Sequence, residues 1–579
     1  MEEVVMDKEK LRQVALGIRK AALVIKNCKL VNVFSGTVDS GDIAIEDEII
    51  CGVGSYQGIK EIDMCFSYVA PGFIDGHVHI ESSMLTPSQF AKIVIPFGTT
   101  TVIADPHEIA NVCGFSGIRF LLESARTVPL EVMIMIPSCV PATKFETSGE
   151  SLNAEEIGAL KNEESIIGLG EMMNYPGVIS GDFETYKKIN VMEDRLIDGH
   201  APSVSGKELN AYVLAGIKTD HESSTREELE EKVKAGMYVH LREGSATRNV
   251  ATLVQGITKD NLSRLMFCTD DKHPADILRE GHISYNINLA IKAGIAPVDA
   301  IKMATINIAN CYNLKRLGAI APGYQADLVV FDKLDDIRPK TVFKRGRLVF
   351  DHNATLFESR KLNDKSVLNT VCFHPEKLDF RLRVKSNPVH VIGLVKNNVT
   401  THDLIENVPI ENGFYVNDPD RDILKLAVVE RHHYTGNIGK GLVKGYGLKN
   451  GAVAMTIAHD SHNLVIISDN DQDMEIAARK IKEIQGGIVL VANHEVYDYL
   501  QLEVAGIVTE HDFHLVEEKL ARMETKARKM GVHEDIDDPF LTLAFLSLPV
   551  IPSLKVTDLG LFDVDRFEII PLEAGGEGK

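Results

Sequence analysis

The chain has 579 residues, enough for two to four domains, and its apolar fraction of 44% can fill substantial cores. A formal net charge of -21 argues against a nucleic-acid surface, where phosphate would be repelled, yet allows a small neutral substrate in a closed pocket. Eight cysteines stand without a paired spacing, and Cys51 and Cys65 lack a zinc-knuckle pattern, so a reducing cytoplasm is expected. Met1 through Asp7 has no basic region ahead of an apolar core, and no apolar stretch approaches the roughly 20 residues needed to span a bilayer. No leader and no membrane contact are therefore expected.

In chain order, residues 7–20 read as a helix, followed by short alternating strands over 23–33 and 41–45. Similar strands with Gly-containing turns recur far downstream, at 322–331 and 341–346. Segments flanking a barrel on both sides can pair into one small β domain, because both barrel termini emerge on its bottom face. Between them lie eight strand candidates, ending near 75, 104, 136, 170, 199, 220, 239 and 269. Several are apolar throughout, as strands covered on both faces would be. Helices are expected at 86–97, 154–163, 206–215, 225–235, 273–280 and 297–310, the first and last started by Pro87 and Pro297. The pattern predicts an α/β protein with a metal-dependent (β/α)8 barrel over 71–315. The composite β domain would come from 1–70 and 316–360. A polar stretch at 358–365 introduces a C-terminal mixed α/β domain over 361–579, with strands at 389–396, 451–458, 464–468 and 487–491. Helices are expected there near 420–429, 471–484, 496–505 and 513–528.

Acidic and imidazole residues recur where these apolar runs end: His77, His79, Asp105, His107, Glu171, His200, His221, His240 and Asp270. In a barrel such positions converge above the core, so residues distant in sequence can share an ion. His77 and His79, at i and i+2 on an extended segment, project the same way and can reach one metal. Asp270 can close that shell and take a proton from water. His200 and His221 can hold a second ion, and Glu171 has two oxygens with which to bridge the pair. A lone histidine is more often a surface or core residue; the joint set carries the reading.

The stretch Pro71–His79 resembles the first-strand signature of the amidohydrolase superfamily. More narrowly, segments 77–84, 105–108, 170–174, 198–202, 219–222, 268–271 and 458–463 resemble the bacterial adenine deaminase family over nearly the whole chain. The resemblance implies hydrolysis of adenine to hypoxanthine and ammonia by a metal-activated hydroxide, in purine salvage. It also implies two divalent ions per subunit, Mn2+ first and Fe2+ second, and a homo-oligomer. Many binuclear relatives bridge their metals with a carboxylated lysine; Glu171 at the matching strand end fits the adenine deaminase branch. The H-x-E with P-C-x-x-C arrangement of cytidine-type deaminases is absent.

The chemistry needs a proton acceptor for water, a donor to ring nitrogen N1 and a donor to the leaving amine. Asp270 is assigned the first and third tasks. The ring contact stays open among His107, Glu108, Asp271, Glu81 and Glu243, and His107 has the alternative of stabilising the attacked centre. Arg242 and Glu243 frame the purine edge or form an exposed ion pair. His459, Asp460, His462 and Asn463 read as metal ligands, as a lid over the barrel mouth, or as a local turn. The glycines after His432 and His433 lack phosphate-loop spacing. The rivals are another cyclic-amide or base hydrolase of the superfamily, and a scaffold that has kept the barrel without activity.

Overall fold

In the computed structural model, residues 7–575 are described apart from Asn397 and Pro419, so the expectation of no leader falls largely outside the described residues, on 1–6. After a short helix at Lys8–Ala15, the strands Ala21–Asn32, Thr37–Glu46 and Ile49–Gly54 form an antiparallel meander. Tyr68–Pro71 lies parallel to the first of these and pairs antiparallel with Leu328–Phe331, so that Leu328 faces Pro71 and Val330 faces Val69. Thr341–Lys344 and Arg347–Asp351 continue the same sheet. Its core is the alternating inward set Ile25, Ile43, Ile45, Leu328, Val330 and Phe343.

Between those pairing partners the chain forms parallel strands: β1 Phe73–Val78, β2 Thr99–Ala104, β3 Glu131–Ile136, β4 Ile166–Met172, β5 Leu196–Gly199, β6 Thr219–Asp220, β7 Tyr238–Arg242 and β8 Leu265–Cys268. β1 to β5 make one run and β6 to β8 another, in sequence order. Parallel bridges at Ile197–Ile217 and Val78–Asp270 link the runs, giving a curled parallel sheet. All eight strand candidates are strands, although β6 has only two residues. The helices between them start on local signals, such as the Thr225/Glu228 capping box before Arg226–Lys234.

Five helices here were not expected: His107–Ala125, Tyr175–Ser180, Phe183–Val191, Val250–Leu253 and Ile283–Lys292. His107–Ala125 starts behind Pro106 and changes direction at Gly114, where φ is 54°. Its glycines and scattered polar residues hide the helical period. Ile283–Lys292 follows Gly281 closely and reads as part of its neighbours.

The C-terminal domain contains an eight-stranded sheet, ordered Thr401–Glu406, Val389–Leu394, Ile438–Lys444, Ile423–Val429, Leu464–Ser468, Gly451–Met455, Gly487–Ala492 and Glu495–Gln501. Two expected helices are corrected. The segment at 420–429 contains the central strand Ile423–Val429, buried on both faces and so without a period of two. The segment at 496–505 contains the edge strand Glu495–Gln501, rich in aromatic and β-branched residues. The helix Asp471–Ile484 does form, and sets Met474, Ala477, Ala478 and Ile481 on the sheet against Ala454, Ile466 and Val489.

One buried ion pair braces the floor of the site. Lys232 Nζ lies 2.8 Å from Asp220 Oδ2 with both side chains fully enclosed, and donates to the Ala201 carbonyl at 2.8 Å. Burial would raise the Asp220 pKa, but Lys232 and His221 win and hold it at about 2. The pair's stabilisation is therefore complete above the unfolded carboxylate pKa and is lost only as pH falls through about 2. Lys232→Met leaves Asp220 buried without its cation, and should cost about 3–5 kcal/mol. Thermal unfolding checks this, and an unchanged midpoint would contradict it.

Candidate metal centre

Five of the eight parallel strands deliver side chains to one enclosed cluster. On β1 and just beyond it, His77 Nε2 and His79 Nε2 lie 3.2 Å apart. Asp270 Oδ1 is 3.5 Å from His77 Nε2 and 3.1 Å from His79 Nε2. The link between β1 and β8 is main chain: Asp270 N–H donates to the His77 carbonyl at 3.0 Å, and His79 N–H to the Asp270 carbonyl at 3.2 Å. Asp270 adopts left-handed backbone with φ 60°, a conformation that aspartate tolerates better than most non-glycine residues.

Glu171, on β4, stands between two imidazole groups. Its Oε1 is 3.3 Å from His79 Nε2, while Oε2 is 2.8 Å from His200 Nδ1 and 3.2 Å from His221 Nε2. Asp105, at the end of β2, fixes Glu171 from behind by accepting its backbone N–H at 2.8 Å. That approach requires Gly170, because a Cβ there would stand 2.2 Å from Asp105 Oδ2.

The donor chemistry fits cations. His79 Nδ1 faces the Asp105 carbonyl at 2.9 Å, and a carbonyl only accepts, so Nδ1 carries the proton and Nε2 presents a bare lone pair. The local field points the same way. Burial disfavours an imidazolium at His77, yet Asp198 and Asp270 lift its pKa to about 10. Burial likewise opposes ionisation of Glu171, but His200, His221 and His79 hold it well below the usual carboxylate range. For Asp270, Arg242, His77 and His79 outweigh the same desolvation. A pocket that attracts this much positive charge suits divalent ions.

Arg242 occupies the other side of Asp270. Its Nη1 is 2.6 Å from Asp270 Oδ2 and 2.5 Å from Glu222 Oε1, with Nη2 3.1 Å from Glu222 Oε2. The guanidinium is thus a buried rather than an exposed ion pair, and its Nε is enclosed without a hydrogen-bond partner. Glu243 is elsewhere: its carboxylate is 3.9 Å from Arg248, and its carbonyl accepts from Lys272. Sequence reasoning gave no role to Glu222 or Asp198. Both sit in the histidine segments 219–222 and 198–202, and that adjacency was the available signal. Glu222 Oε1 lies 3.6 Å from His200 Nδ1 and 3.5 Å from His221 Nε2. Asp198 Oδ2 is 3.6 Å from His77 Nδ1. His240 is buried beside His77, their ring centroids 6.3 Å apart, with Nε2 3.4 Å from the Tyr312 hydroxyl, and burial holds its pKa at about 4.

The remaining candidates form an acidic wall beside the cluster. His107 Nδ1 is 3.4 Å from Glu171 Oε1. Ser82 Oγ is 2.7 Å from Glu108 Oε1 and 2.5 Å from Asp271 Oδ1. Burial, with Glu81 and Asp271 near, raises the Glu108 pKa to about 8. Glu81 Oε1 accepts from Ile109 N–H at 3.2 Å. From the C-terminal domain, Asp460 Oδ1 reaches to 3.6 Å from His107 Nε2, and His462 Nε2 to 3.4 Å from Glu108 Oε2. His459 stacks on Phe545, and Asn463 donates to the Thr147 carbonyl at 2.8 Å.

A family model described as the amidohydrolase family matches residues 68–349, and the adenine deaminase C-terminal domain matches residues 398–568. Adenine deaminase 2 of Carboxydothermus hydrogenoformans is 47% identical over 97% of this chain and 99% of its own. The adenine deaminase of Clostridium acetobutylicum is 47% identical over 96% and 98%, and that of Petrotoga mobilis 44% over 98% and 100%. The chain belongs to the adenine deaminase family of amidohydrolases. Among the described residues no helix is long and apolar enough to cross a membrane.

Proposed function

We propose that this chain hydrolyses adenine to hypoxanthine and ammonia at a pair of divalent cations held by His77, His79, Glu171, His200, His221 and Asp270. One observation carries the reading: the two oxygens of Glu171 face separate imidazole groups, His79 on one side and His200 with His221 on the other. A donor set of imidazole and carboxylate without thiolate suits Mn2+ or Fe2+. The bound pair would supply Lewis acidity, making water a competent nucleophile near neutral pH. The linked runs of parallel strands support a (β/α)8 barrel as the frame.

The chain's own groups then handle protons. Asp270, pinned by Arg242 through Oδ2, keeps Oδ1 available to accept a proton from water and pass it to the departing amine. Glu108, which burial keeps protonated at neutral pH, suits the donation to N1. It regains a proton from the C6 hydroxyl as the product carbonyl forms, so adenine and water balance hypoxanthine and ammonia. Asp271, Glu81 and His107 line the same wall and take the binding contacts. Eight free cysteines support a cytoplasmic setting in purine salvage.

The test is ammonia release from free bases by metal-reconstituted protein. Adenine should be turned over, with guanine, cytosine and hydantoin at background. Hydantoin opening without adenine turnover would overturn the reading in favour of a cyclic-amide hydrolase.

A further inference from the structure

The loop between strands Gly451–Met455 and Leu464–Ser468 meets the start of helix His107–Ala125, residue for residue. Asp460 faces His107 and His462 faces Glu108. The loop is firmly held. Arg431, fully buried, donates from Nε to the His462 carbonyl and from Nη2 to the Ala505 carbonyl at 3.0 Å. His432 Nε2 lies 2.8 Å from the Ser461 carbonyl. This is a fixed wall of the site.

By residue type, Glu108, His459 and His462 form a third group able to hold a cation. The protonation of His462 argues otherwise. The Ala458 backbone N–H donates to His462 Nδ1 at 3.2 Å. An amide only donates here, so Nδ1 carries the lone pair and the neutral ring carries its proton on Nε2. This is the inverse of His79, whose Nδ1 faces a carbonyl and whose Nε2 is bare. His462 therefore offers a hydrogen bond where His79 offers a ligand. Its Nε2 and Glu108 Oε2, 3.4 Å apart, are both buried without a hydrogen-bond partner. Such contacts are often long in an unliganded site and tighten when substrate binds.

We propose that His462, from the C-terminal domain, is a positioning residue for deamination, its Nε2–H holding the Glu108 carboxyl in the orientation that meets the purine. The inference rests on the adenine reading and adds a specific dependence on the second domain. The Ser82 hydroxyl fixes the other Glu108 oxygen, so His462 removes the remaining freedom of the carboxyl.

The experiment compares His462→Gln, His462→Asn and His462→Ala in the full chain after manganese reconstitution, reading kcat, KM for adenine, metal content and thermal midpoint. A glutamine amide nitrogen reaches the Nε2 position, whereas an asparagine amide reaches only Nδ1. His462→Asn and His462→Ala should lose about 10²-fold in kcat with metal content unchanged, the cost of a misplaced catalytic group. His462→Gln should recover most of it. Equal kcat in the glutamine and asparagine variants would overturn the proposal, as would loss of a bound ion in either. If the alanine variant fails to fold, the glutamine–asparagine pair still decides. An inactive parent would sink the adenine reading and this inference with it; an active parent with unaffected variants sinks only the inference.

Discussion

Asp270→Asn should leave folding and thermal stability close to those of the parent while lowering adenine turnover by at least about 10²-fold, the lower range for loss of a general acid–base group. The substitution keeps shape and volume. The Asp270 main chain continues to link β1 and β8, because those bonds involve no side-chain atom. What changes is chemistry at the two oxygens. Asp270 Oδ2 accepts from Arg242 at 2.6 Å, so the asparagine carbonyl would be drawn to that side. The amide NH2 would then face His77 and His79, where Oδ1 now lies 3.5 and 3.1 Å from their nitrogens. An amide nitrogen neither accepts a proton from water nor ligates a cation. A variant within about threefold of the parent rate would remove Asp270 from proton transfer.

For Glu171→Gln, the expected result is loss of about one metal ion per subunit, with a matching fall in activity. The present carboxylate reaches His79 through one oxygen and His200 with His221 through the other. Glutamine keeps one oxygen and replaces the second with a donor that faces imidazole nitrogens. Only one side of the cluster can then keep an oxygen donor, and that oxygen is a neutral carbonyl. Elemental analysis of parent and variant, reconstituted alike, measures this without reference to turnover. Full metal content in the variant would remove the bridging role.

The strands that carry the cluster were legible because a buried parallel strand writes itself as an apolar run followed by a polar residue. Residues 166–171 are such a run, and the structure places Glu171 among four imidazoles. The helix at His107–Ala125 was not legible, since Gly114 and Gly117 break its pattern and tertiary packing overrides weak propensity. The same holds for Ile423–Val429, where enclosure on both faces erased the alternation that marks a strand. The ion pairs of Arg242 were not legible for a different reason. Its charge suggested solvent or substrate, but its two carboxylate partners, Glu222 and Asp270, come from separate strand ends, and one-dimensional spacing does not reveal that meeting.

The hydrogen bonds that tie Asp270 to His77 and His79 run through amides and carbonyls alone. The distance between the first and last members of the cluster is therefore ruled by peptide geometry, whatever side chains stand nearby. On the proposed reading, substitutions in the acidic wall at Glu81, Glu108 or Asp271 would reshape what the pocket accepts while that ruler stays unchanged. A designer seeking a different heterocycle has a part of the protein to edit and a part to leave alone.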